Sequence, residues 1–357
     1  MKPINILFSI LGALLGSVAF VTLLFFSSES AMQKENPFTR RFIPMSAEFS
    51  AEYKLDGYGY YFAGSYRDKI YLGNHSTPLY ITEIDTLLRK SAKHKITLDK
   101  YDYPFQSTEV RIDYPYFFLY DGMVPVIFRG NVSDFSANTI MDKKIFFTDA
   151  AVINGNTFVI RGQKPPRGEH LAGLLEIGNE GKTKFFPDFL IKQQDGVFDT
   201  DGQFTYDKAS GKVIYIYYYR NEFIAANSTM QLSLRGRTID TVSKAKLEIV
   251  TMKGSGDTRL AAPPLMVNRQ IGAEGGVLFV QSMLRGKHES IKVWNTAGAI
   301  DLYYLENGHY LSSFYVYHSD KNKLKEFTVT QTAFYGILGD KIQKYSFGKP
   351  VKKHIRR

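Results

Sequence analysis

The chain has 357 residues, of which 15% are aromatic and none is cysteine, and its formal net charge is +10. Without cysteine it has no disulfide and no thiolate ligand for a metal, which fits an exported bacterial protein. The positive charge is spread along the chain, and no nucleic-acid-binding motif accompanies it. These features exclude a disulfide scaffold and argue against a nucleic-acid partner.

The first predicted element is a transmembrane helix. Residues 6–26 form an uncharged, mainly apolar run of 21 residues, and a bilayer core of about 30 Å needs about 20 helical residues. A cleaved signal peptide is the alternative interpretation, but its apolar region is usually about 7–15 residues long. The triplet Ser28, Glu29 and Ser30 also makes a poor cleavage site. We therefore expect an uncleaved anchor over residues 1–26.

The charges near this anchor give conflicting signals about its orientation. Lys2 precedes the span, whereas Lys34, Arg40 and Arg41 follow it, and Lys and Arg favour the cytoplasmic side. Large domains are nevertheless translocated largely regardless of charge. We expect a single-pass protein of the cell membrane with its domain on the periplasmic, extracytoplasmic side.

Three segments follow the anchor. Residues 27–46 are polar, contain proline and lack periodicity, so we interpret them as a tether. Residues 47–348 consist of short runs rich in Tyr, Phe, Val, Ile and Thr, which favour strands. Residues 349–357 form a basic tail that ends at Arg357. Outside the anchor, only residues 81–92 are predicted to be helical, because their apolar residues fall roughly on one helical face.

About 300 residues of short strands exceed one ordinary β-sandwich and favour a β-propeller, which repeats four-stranded blades around a channel. Six units of about 50 residues can be drawn. Their predicted bounds are 58–99, 108–147, 148–186, 196–240, 246–305 (with a long insertion) and 308–347. We predict an all-β propeller of six blades after the transmembrane helix, with seven blades as the alternative count and two stacked sandwiches as the alternative fold.

A propeller has to close its ring of blades. Residues 47–55, with the sequence AEFSAEYKL, are predicted to supply the strand that completes the last blade. The membrane tether would then lie near the closing blade.

Four segments carry a resemblance to a known group of proteins. They are residues 63–78 (AGSYRDKIYLGNHSTP), 195–224 (DGVFDTDGQFTYDKASGKVIYIYYYRNEFI), 235–241 (RGRTIDT) and 261–270 (AAPPLMVNRQ). The chain resembles membrane-anchored Bacteroidota proteins that are similar in form to six-bladed, TolB-like propellers. The group has no established activity, so the resemblance implies a compartment and a fold and transfers no catalytic residue.

The first candidate ligand-binding residues lie in loops that follow strands. Asn74 and His75 follow a predicted strand in LGNHSTP, where a propeller presents ligand groups, although a turn-stabilising Asn and a surface His is the simpler interpretation. Asp199 and Asp201 belong, with Asp207, to the densest carboxylate cluster. Such oxygens hold Ca²⁺, but the spacing does not match an EF-hand, and Asp and Gly also form tight turns. We predict no metal site and no cofactor.

The remaining candidates lie further along the chain. Arg220 and Asn221 interrupt the aromatic run IYYYRNEFI, for which a hairpin turn is the preferred interpretation. Asn268 lies in the long insertion of the fifth unit, and an insertion on one face of a repeat array is a suitable binding element.

The sequence contains no Walker loop, nucleophile elbow or dinucleotide fingerprint. We therefore predict a membrane-anchored binding module of the cell envelope rather than an enzyme. Its predicted partners are the membrane, through the N-terminal helix, and an envelope protein, a small molecule or a glycan, with no nucleic acid. The alternative is an envelope enzyme, a hydrolase or a redox-system component, with its site at the mouth of the propeller channel. Convergence of Asp199 or Asp201 with His75 or Arg220 would favour the enzyme.

Overall fold

The structure is a computed structural model that describes residues 3–32, 36–143, 145–163, 168–178, 182–251, 258–319 and 322–356. Lys2, Lys34 and Arg357, which enter the charge arguments above, lie outside the described residues. Helix α1 spans Pro3–Met32, and its described side chains, those of residues 10–25, are all exposed. In the part of the chain that the structure describes, no helix combines the length and apolar character required to cross a membrane.

The strands that follow form blades in chain order. Strand β1 (Ala47–Lys54) comes first. Blade 1 contains β2 (Tyr60–Tyr66), β3 (Lys69–Asn74), β4 (Tyr80–Asp85) and β5 (Ser91–Lys95). Blade 2 contains β6 (Thr97–Leu98), β7 (Thr108–Asp113), β8 (Tyr116–Asp121), β9 (Val126–Asn131) and β10 (Ser136–Asp142). Blade 3 contains β11 (Phe147–Asn154), β12 (Thr157–Gln163), β13 (His170–Glu176) and β14 (Lys182–Phe186).

The second half of the ring follows the same plan. Blade 4 contains β15 (Gly202–Asp207), β16 (Lys212–Tyr217), β17 (Glu222–Asn227) and β18 (Leu232–Arg237). A separate hairpin, β19 (Ile249–Thr251) and β20 (Thr258–Leu260), precedes blade 5. Blade 5 contains β21 (Asn268–Glu274), β22 (Val277–Ser282), helix α2 (Ile291–Thr296), β23 (Ala297–Tyr304) and β24 (Tyr310–Tyr317). Blade 6 contains β25 (Leu324–Val329), β26 (Ala333–Leu338) and β27 (Lys341–Phe347), and helix α3 (Lys349–Lys352) follows.

The first strands of successive blades contact each other around a closed ring. Strand β1 pairs antiparallel with β27, from Ala47 opposite Phe347 to Lys54 opposite Lys341, and so gives blade 6 its fourth strand. The predicted closure by residues 47–55 and the count of six blades are therefore confirmed within the described residues.

Apolar side chains fill the junction between each pair of neighbouring blades. One buried cluster joins blades 1 and 2, another joins blades 2 and 3, and the pattern continues to the junction of blades 6 and 1. A blade therefore buries both of its faces, which explains why strands such as β22 and β26 are buried along their whole length.

The predicted helix over residues 81–92 is wrong. The segment forms β4, a turn and β5, and the Asp85 carboxylate accepts backbone N–H groups of Leu87 and Arg89 in that turn. Ile81 packs toward blade 2 and Ile84 toward blade 6. Their three-residue spacing resembled a helical face, but an odd offset along a strand places side chains on opposite faces.

The predicted bounds of the last two units are also wrong. The run YLSSFYVY is β24, the outer strand of blade 5, rather than the start of the sixth unit. Because β1 supplies the outer strand of blade 6, only three strands remain to be taken from the C-terminal part of the chain.

Both segments that flank the propeller pack against it. In the segment interpreted as a tether, Phe38 and Arg40 are buried, and Phe42 forms a bridge with Ser313 on β24. In the basic tail, Val351 and Ile355 are buried against the core cluster shared by blades 5 and 6.

Candidate functional site

A cavity of about 920 Å³ lies at the centre of the ring. Its walls are the first strands of the six blades, and residues of the turns that end these strands, such as Arg67, Tyr114, Lys208 and Thr332, surround its mouth. We call this end of the propeller the hairpin face. The opposite end, where the first strands begin and the second strands finish, is the loop face.

A ring of six side chains lies at the inner end of the cavity, and four of them, those of Asp149, Gln203, Gln270 and Glu326, line it. Each first strand carries one of them near its beginning. The six positions are Tyr61, Glu109, Asp149, Gln203, Gln270 and Glu326. Five of these side chains accept a hydrogen bond from the next blade. The donor is always the backbone N–H of the residue that directly follows the ring residue of that next blade. These bonds join Val110 N to Tyr61 Oη (2.7 Å), Phe204 N to Asp149 Oδ2 (2.6 Å), Ile271 N to Gln203 Oε1 (3.3 Å), Phe327 N to Gln270 Oε1 (3.0 Å) and Phe62 N to Glu326 Oε1 (3.2 Å).

Glu109 is the exception in this ring. Its carboxylate forms an ion pair with Arg111 (2.8 Å) and accepts the Tyr120 hydroxyl (3.2 Å). The Arg111 guanidinium also donates to the Phe62 carbonyl (3.2 Å) and lies over the Tyr61 ring. Arg111 therefore connects blades 1 and 2 at the inner end of the cavity.

Three carboxyl groups of the cavity wall are held partly protonated near neutral pH. Burial raises the pKa of Asp149 and that of Glu326 to about 7, in each case against the opposing effect of Arg111. Burial, assisted by the negative charge of Asp207, raises the pKa of Glu274 to about 7 as well. Groups with such values can both donate and accept protons at physiological pH.

Aromatic rings and ion pairs surround the mouth. Tyr66 and Tyr114 stack with their ring centroids 3.8 Å apart. Lys208 forms an ion pair with Asp113 (2.7 Å), and Lys344 donates to the carbonyl of Thr86 (2.9 Å). The mouth therefore offers apolar ring faces beside charges that already have partners.

The predicted residues Asn74 and His75 lie at the loop face of blade 1. Asn74 stabilises the loop, because its amide donates to the Tyr58 carbonyl and its oxygen accepts the Ser76 N–H. The His75 ring lies 4.6 Å from that of Tyr61.

Asp199 and Asp201 lie in the loop that precedes blade 4. The Asp199 carboxylate accepts backbone N–H groups of Gln193, Gln194 and Gly196, so it holds the loop together. Asp201 forms an ion pair with Arg161 (3.2 Å).

Arg220, Asn221 and Asn268 lie beside this loop. The Arg220 guanidinium is fully buried, is 3.5 Å from the centre of the Tyr217 ring, and donates to backbone carbonyls of residues 191 and 199. Asn268 donates to the carbonyls of Tyr217 and Arg220, and Asn221 donates to that of Asp240.

The structure therefore groups five of the seven candidates around blade 4 and leaves Asn74 and His75 on blade 1. In the described ranges, no hydrogen bond or ion pair joins His75 to Asp199, Asp201 or Arg220. Among the described residues, no group of three or more acidic or His side chains is arranged to hold a metal ion.

The ring was not predicted from the sequence, although the chain carries a signal for it. The first strands of blades 2 to 6 contain TEVRI, TDAAV, GQFTY, RQIGA and KEFTV, in which an acid or amide precedes an apolar residue. Alignment of blades 2 to 6 on this pair identifies five of the six ring residues, and Tyr61 of blade 1 departs from the pattern.

These features define a six-bladed β-propeller with a polar central cavity. A member of the DUF4221 family from Bacteroides vulgatus has a crystal structure similar to it, with a TM-score of 0.55, 12% identity and coverage of 88% of this chain and 99% of that one. A streptogramin B lyase gives a TM-score of 0.48 at 8% identity, over 86% of this chain and 100% of that one. A catalytically inactive virginiamycin B lyase from Staphylococcus aureus, solved with quinupristin, gives a TM-score of 0.45 at 10% identity, over 88% of this chain and 100% of that one.

At these identities structural likeness shows the fold alone, and of these three structures the one from Bacteroides vulgatus has a TM-score above 0.5. No protein-family model and no curated protein matches the sequence.

Proposed function

We propose that this chain is a membrane-tethered propeller of the cell envelope that binds a small polar molecule in its central cavity. The observation that carries the proposal is the cavity of about 920 Å³ with polar side chains of several blades directed to its inner end. Ligand pockets generally measure about 300–1,000 Å³ and carry a few convergent polar groups.

The ring side chains retain hydrogen-bonding capacity after their bonds to the backbone. Gln203 and Gln270 each use their amide oxygen, and within the described residues their amide nitrogens have no protein partner. Asp149 and Glu326 likewise each use one carboxyl oxygen. A ligand in the cavity would satisfy the remaining groups without breaking the bonds between blades.

Helix α1 supports the tether. Its described side chains include Leu15, Phe20, Leu23 and Phe25, each at least 60% exposed, and apolar surface of this kind needs an apolar environment. The uncharged run over residues 6–26 is long enough for a bilayer. The resemblance to membrane-anchored, TolB-like propellers of Bacteroidota, with the domain on the periplasmic side, belongs to the same proposal.

The described chain resumes after α1 at the loop face. Asn36 N donates to the Arg285 carbonyl (3.1 Å), in the loop that follows β22. The cavity mouth lies at the other end of β22, where β21 turns into it. This arrangement favours a cavity that opens away from the membrane, toward ligands in the aqueous phase.

An envelope enzyme is the second candidate. The observation that favours it is the presence of two carboxyls in the cavity wall, Asp149 and Glu326, each with a pKa of about 7, which suits general acid or base catalysis.

Cavity-filling variants test the binding proposal. Thr205→Trp and Thr328→Trp place a large ring in the cavity wall, and Ser228→Trp, in an exposed turn, is the matched control. Ligand-observed NMR with a mixture of monosaccharides, amino acids and aliphatic amines should show binding that both cavity variants abolish and the control retains. Binding by none of these compounds, or binding that both cavity variants retain, would overturn the proposal.

Vesicle flotation tests the tether. The full chain should float with liposomes, whereas a chain that starts at residue 36 should remain in the aqueous fraction. Recovery of both proteins in the aqueous fraction would show that α1 does not anchor the domain.

A further inference from the structure

Three carboxyl groups from three different blades face the central cavity without a cationic partner. They are Asp149 on β11, Glu274 at the end of β21 and Glu326 on β25. In the described part of the chain, no Lys, Arg or His lies within ion-pair distance of any of them.

The cations of the cavity wall have other contacts. Arg111 pairs with Glu109, Lys208 pairs with Asp113, and Lys344 donates to the carbonyl of Thr86. Arg67 lies over the Tyr66 ring (5.1 Å). The wall therefore carries charges of both signs, and its carboxyls Asp149, Glu274 and Glu326 have no ion-pair partner among the described residues.

The rest of the cavity fits a ligand that carries positive charge on an aliphatic chain. Tyr66 and Tyr114 present stacked rings at the mouth, and aromatic faces attract organic cations. Further in, the amide nitrogens of Gln203 and Gln270 are available for acceptor atoms of the ligand.

The carboxyls lie at two depths. Gln270 belongs to the ring at the inner end, and Glu274 lies four residues further along β21, beside the mouth. At about 3.3 Å per residue, this separation is about 13 Å. One ammonium group cannot contact carboxyls at both depths, whereas an extended chain with several ammonium groups can.

We propose that the cavity binds an aliphatic oligoamine, with one ammonium group at Glu274 near the mouth and others at Asp149 and Glu326 at the inner end. This inference rests on the proposed binding function of the same cavity and names the chemical class of its ligand.

The protonation state of the carboxyls supports the inference. Burial is the main cause that raises the pKa of each carboxyl to about 7. The charged groups around Asp149 are Glu109, Arg111 and Arg161. Arg111 and Glu109 lie around Glu326, and Asp207 lies beside Glu274. An ammonium group within about 4–6 Å favours the ionised carboxylate. Binding at pH 7 therefore displaces protons, and affinity rises as the carboxyls ionise.

Isothermal titration calorimetry with spermidine tests this. The affinity should rise about tenfold per engaged carboxyl between pH 6 and pH 8. Titrations at pH 7 in phosphate and in Tris should show the release of about one proton. The Glu274→Gln/Glu326→Gln variant should bind at least about tenfold more weakly, whereas Glu48→Gln, on the exposed outer strand, should match the wild type. 1,8-Octanediol, a neutral chain, should not bind.

Each contrary result has a distinct meaning. Spermidine binding without proton release, or equal binding of the diol, would overturn the oligoamine inference. Absence of spermidine binding, while another compound binds in the cavity and the Trp variants block it, would overturn the inference and leave the binding function intact. If none of the tested compounds binds, both the oligoamine inference and the proposed binding function are overturned.

Discussion

Glu326 accepts a hydrogen bond from the backbone N–H of Phe62 (3.2 Å), and this bond joins the last blade to the first. Four equivalent bonds occur at other blade junctions. The side chains that line the cavity are therefore also structural connections between blades. Any ligand site built from them is preorganised by the closure of the ring.

Replacement of Glu326 by leucine should destabilise the protein. Phe62 is buried, so the loss of its acceptor leaves a backbone donor unpaired, which generally costs about 1–3 kcal/mol. Glu326→Gln retains an oxygen acceptor and should cost less. Urea denaturation of the two variants at pH 6 measures the difference, and equal loss in both would show that the hydrogen bond contributes nothing.

The same carboxyls predict a pH dependence of stability. The pKa of Asp149 and that of Glu326 are raised to about 7 by burial, so the folded state keeps protons that the unfolded state loses near pH 4. Their contribution is complete below about pH 4 and is lost as pH rises toward 7.

The stability of the variant Asp149→Asn/Glu326→Gln relative to the wild type should therefore increase as the pH rises from 5 to 8. One pKa unit corresponds to about 1.4 kcal/mol of stability. We expect an increase of only about 1–2 kcal/mol per carboxyl over this pH range, because the cavity admits solvent. Thermal unfolding across this range measures the effect, with Glu48→Gln, on the exposed outer strand, as the control. A double variant that loses stability with rising pH as steeply as the wild type would contradict the assignment.

Closure of the ring predicts a sharp boundary for truncation. A chain that starts at residue 36 keeps β1 and the buried Arg40, whereas a chain that starts at residue 55 leaves β27 as an exposed edge. The longer chain should unfold cooperatively, and the shorter chain should lose more than about 10 °C in melting temperature or fail to fold. Similar melting temperatures for the two chains would show that closure by β1 is dispensable.

Much of the fold could be predicted from the sequence because strand chemistry and turns are local. The run YLSSFYVY is β24 and most of KVIYIYYY is β16, and Asn154 ends β11 directly before the turn that contains Gly155. The assignment of YLSSFYVY to a blade was wrong because it depends on the pairing of β1 with β27, which joins residues almost 300 positions apart.

The candidate site was harder to predict because polar residues in loops and in strands look alike in the sequence. Asp199 belongs to the densest carboxylate cluster and Arg220 interrupts an aromatic run, but their side chains hold backbone groups of neighbouring loops. Gln270 and Glu326 each lie beside another polar residue within a strand, and the radial arrangement of the blades brings them to one cavity. Convergence of this kind is a property of the closed ring and not of any local segment.

Gly73 packs against Tyr61, one of the ring residues. A Cβ atom at Gly73 would lie 2.2 Å from the Tyr61 ring, which is too close for any real contact. Gly73→Ala should therefore destabilise the protein by about 1–3 kcal/mol and displace the Tyr61 hydroxyl from Val110 N. Gly57→Ala, where the new Cβ meets nothing within 4 Å, is the control. Urea denaturation measures both, and equal stability of the two variants would contradict the packing.

The two neighbouring arginines of the segment before β1 should differ strongly in their effect on stability. The Arg40 guanidinium is buried and forms ion pairs with Glu289 (2.6 Å) and Asp301 (2.7 Å), whereas Arg41 is exposed and donates to the Leu311 carbonyl. Arg40→Ala leaves two buried carboxylates without a cation and should cost about 3–5 kcal/mol. Arg41→Ala should cost less than about 1 kcal/mol. Urea denaturation of the chain that starts at residue 36 measures both without interference from α1. A small effect of Arg40→Ala would show that residues 36–46 behave as the tether that the sequence predicts, whereas a large effect would make them part of the propeller.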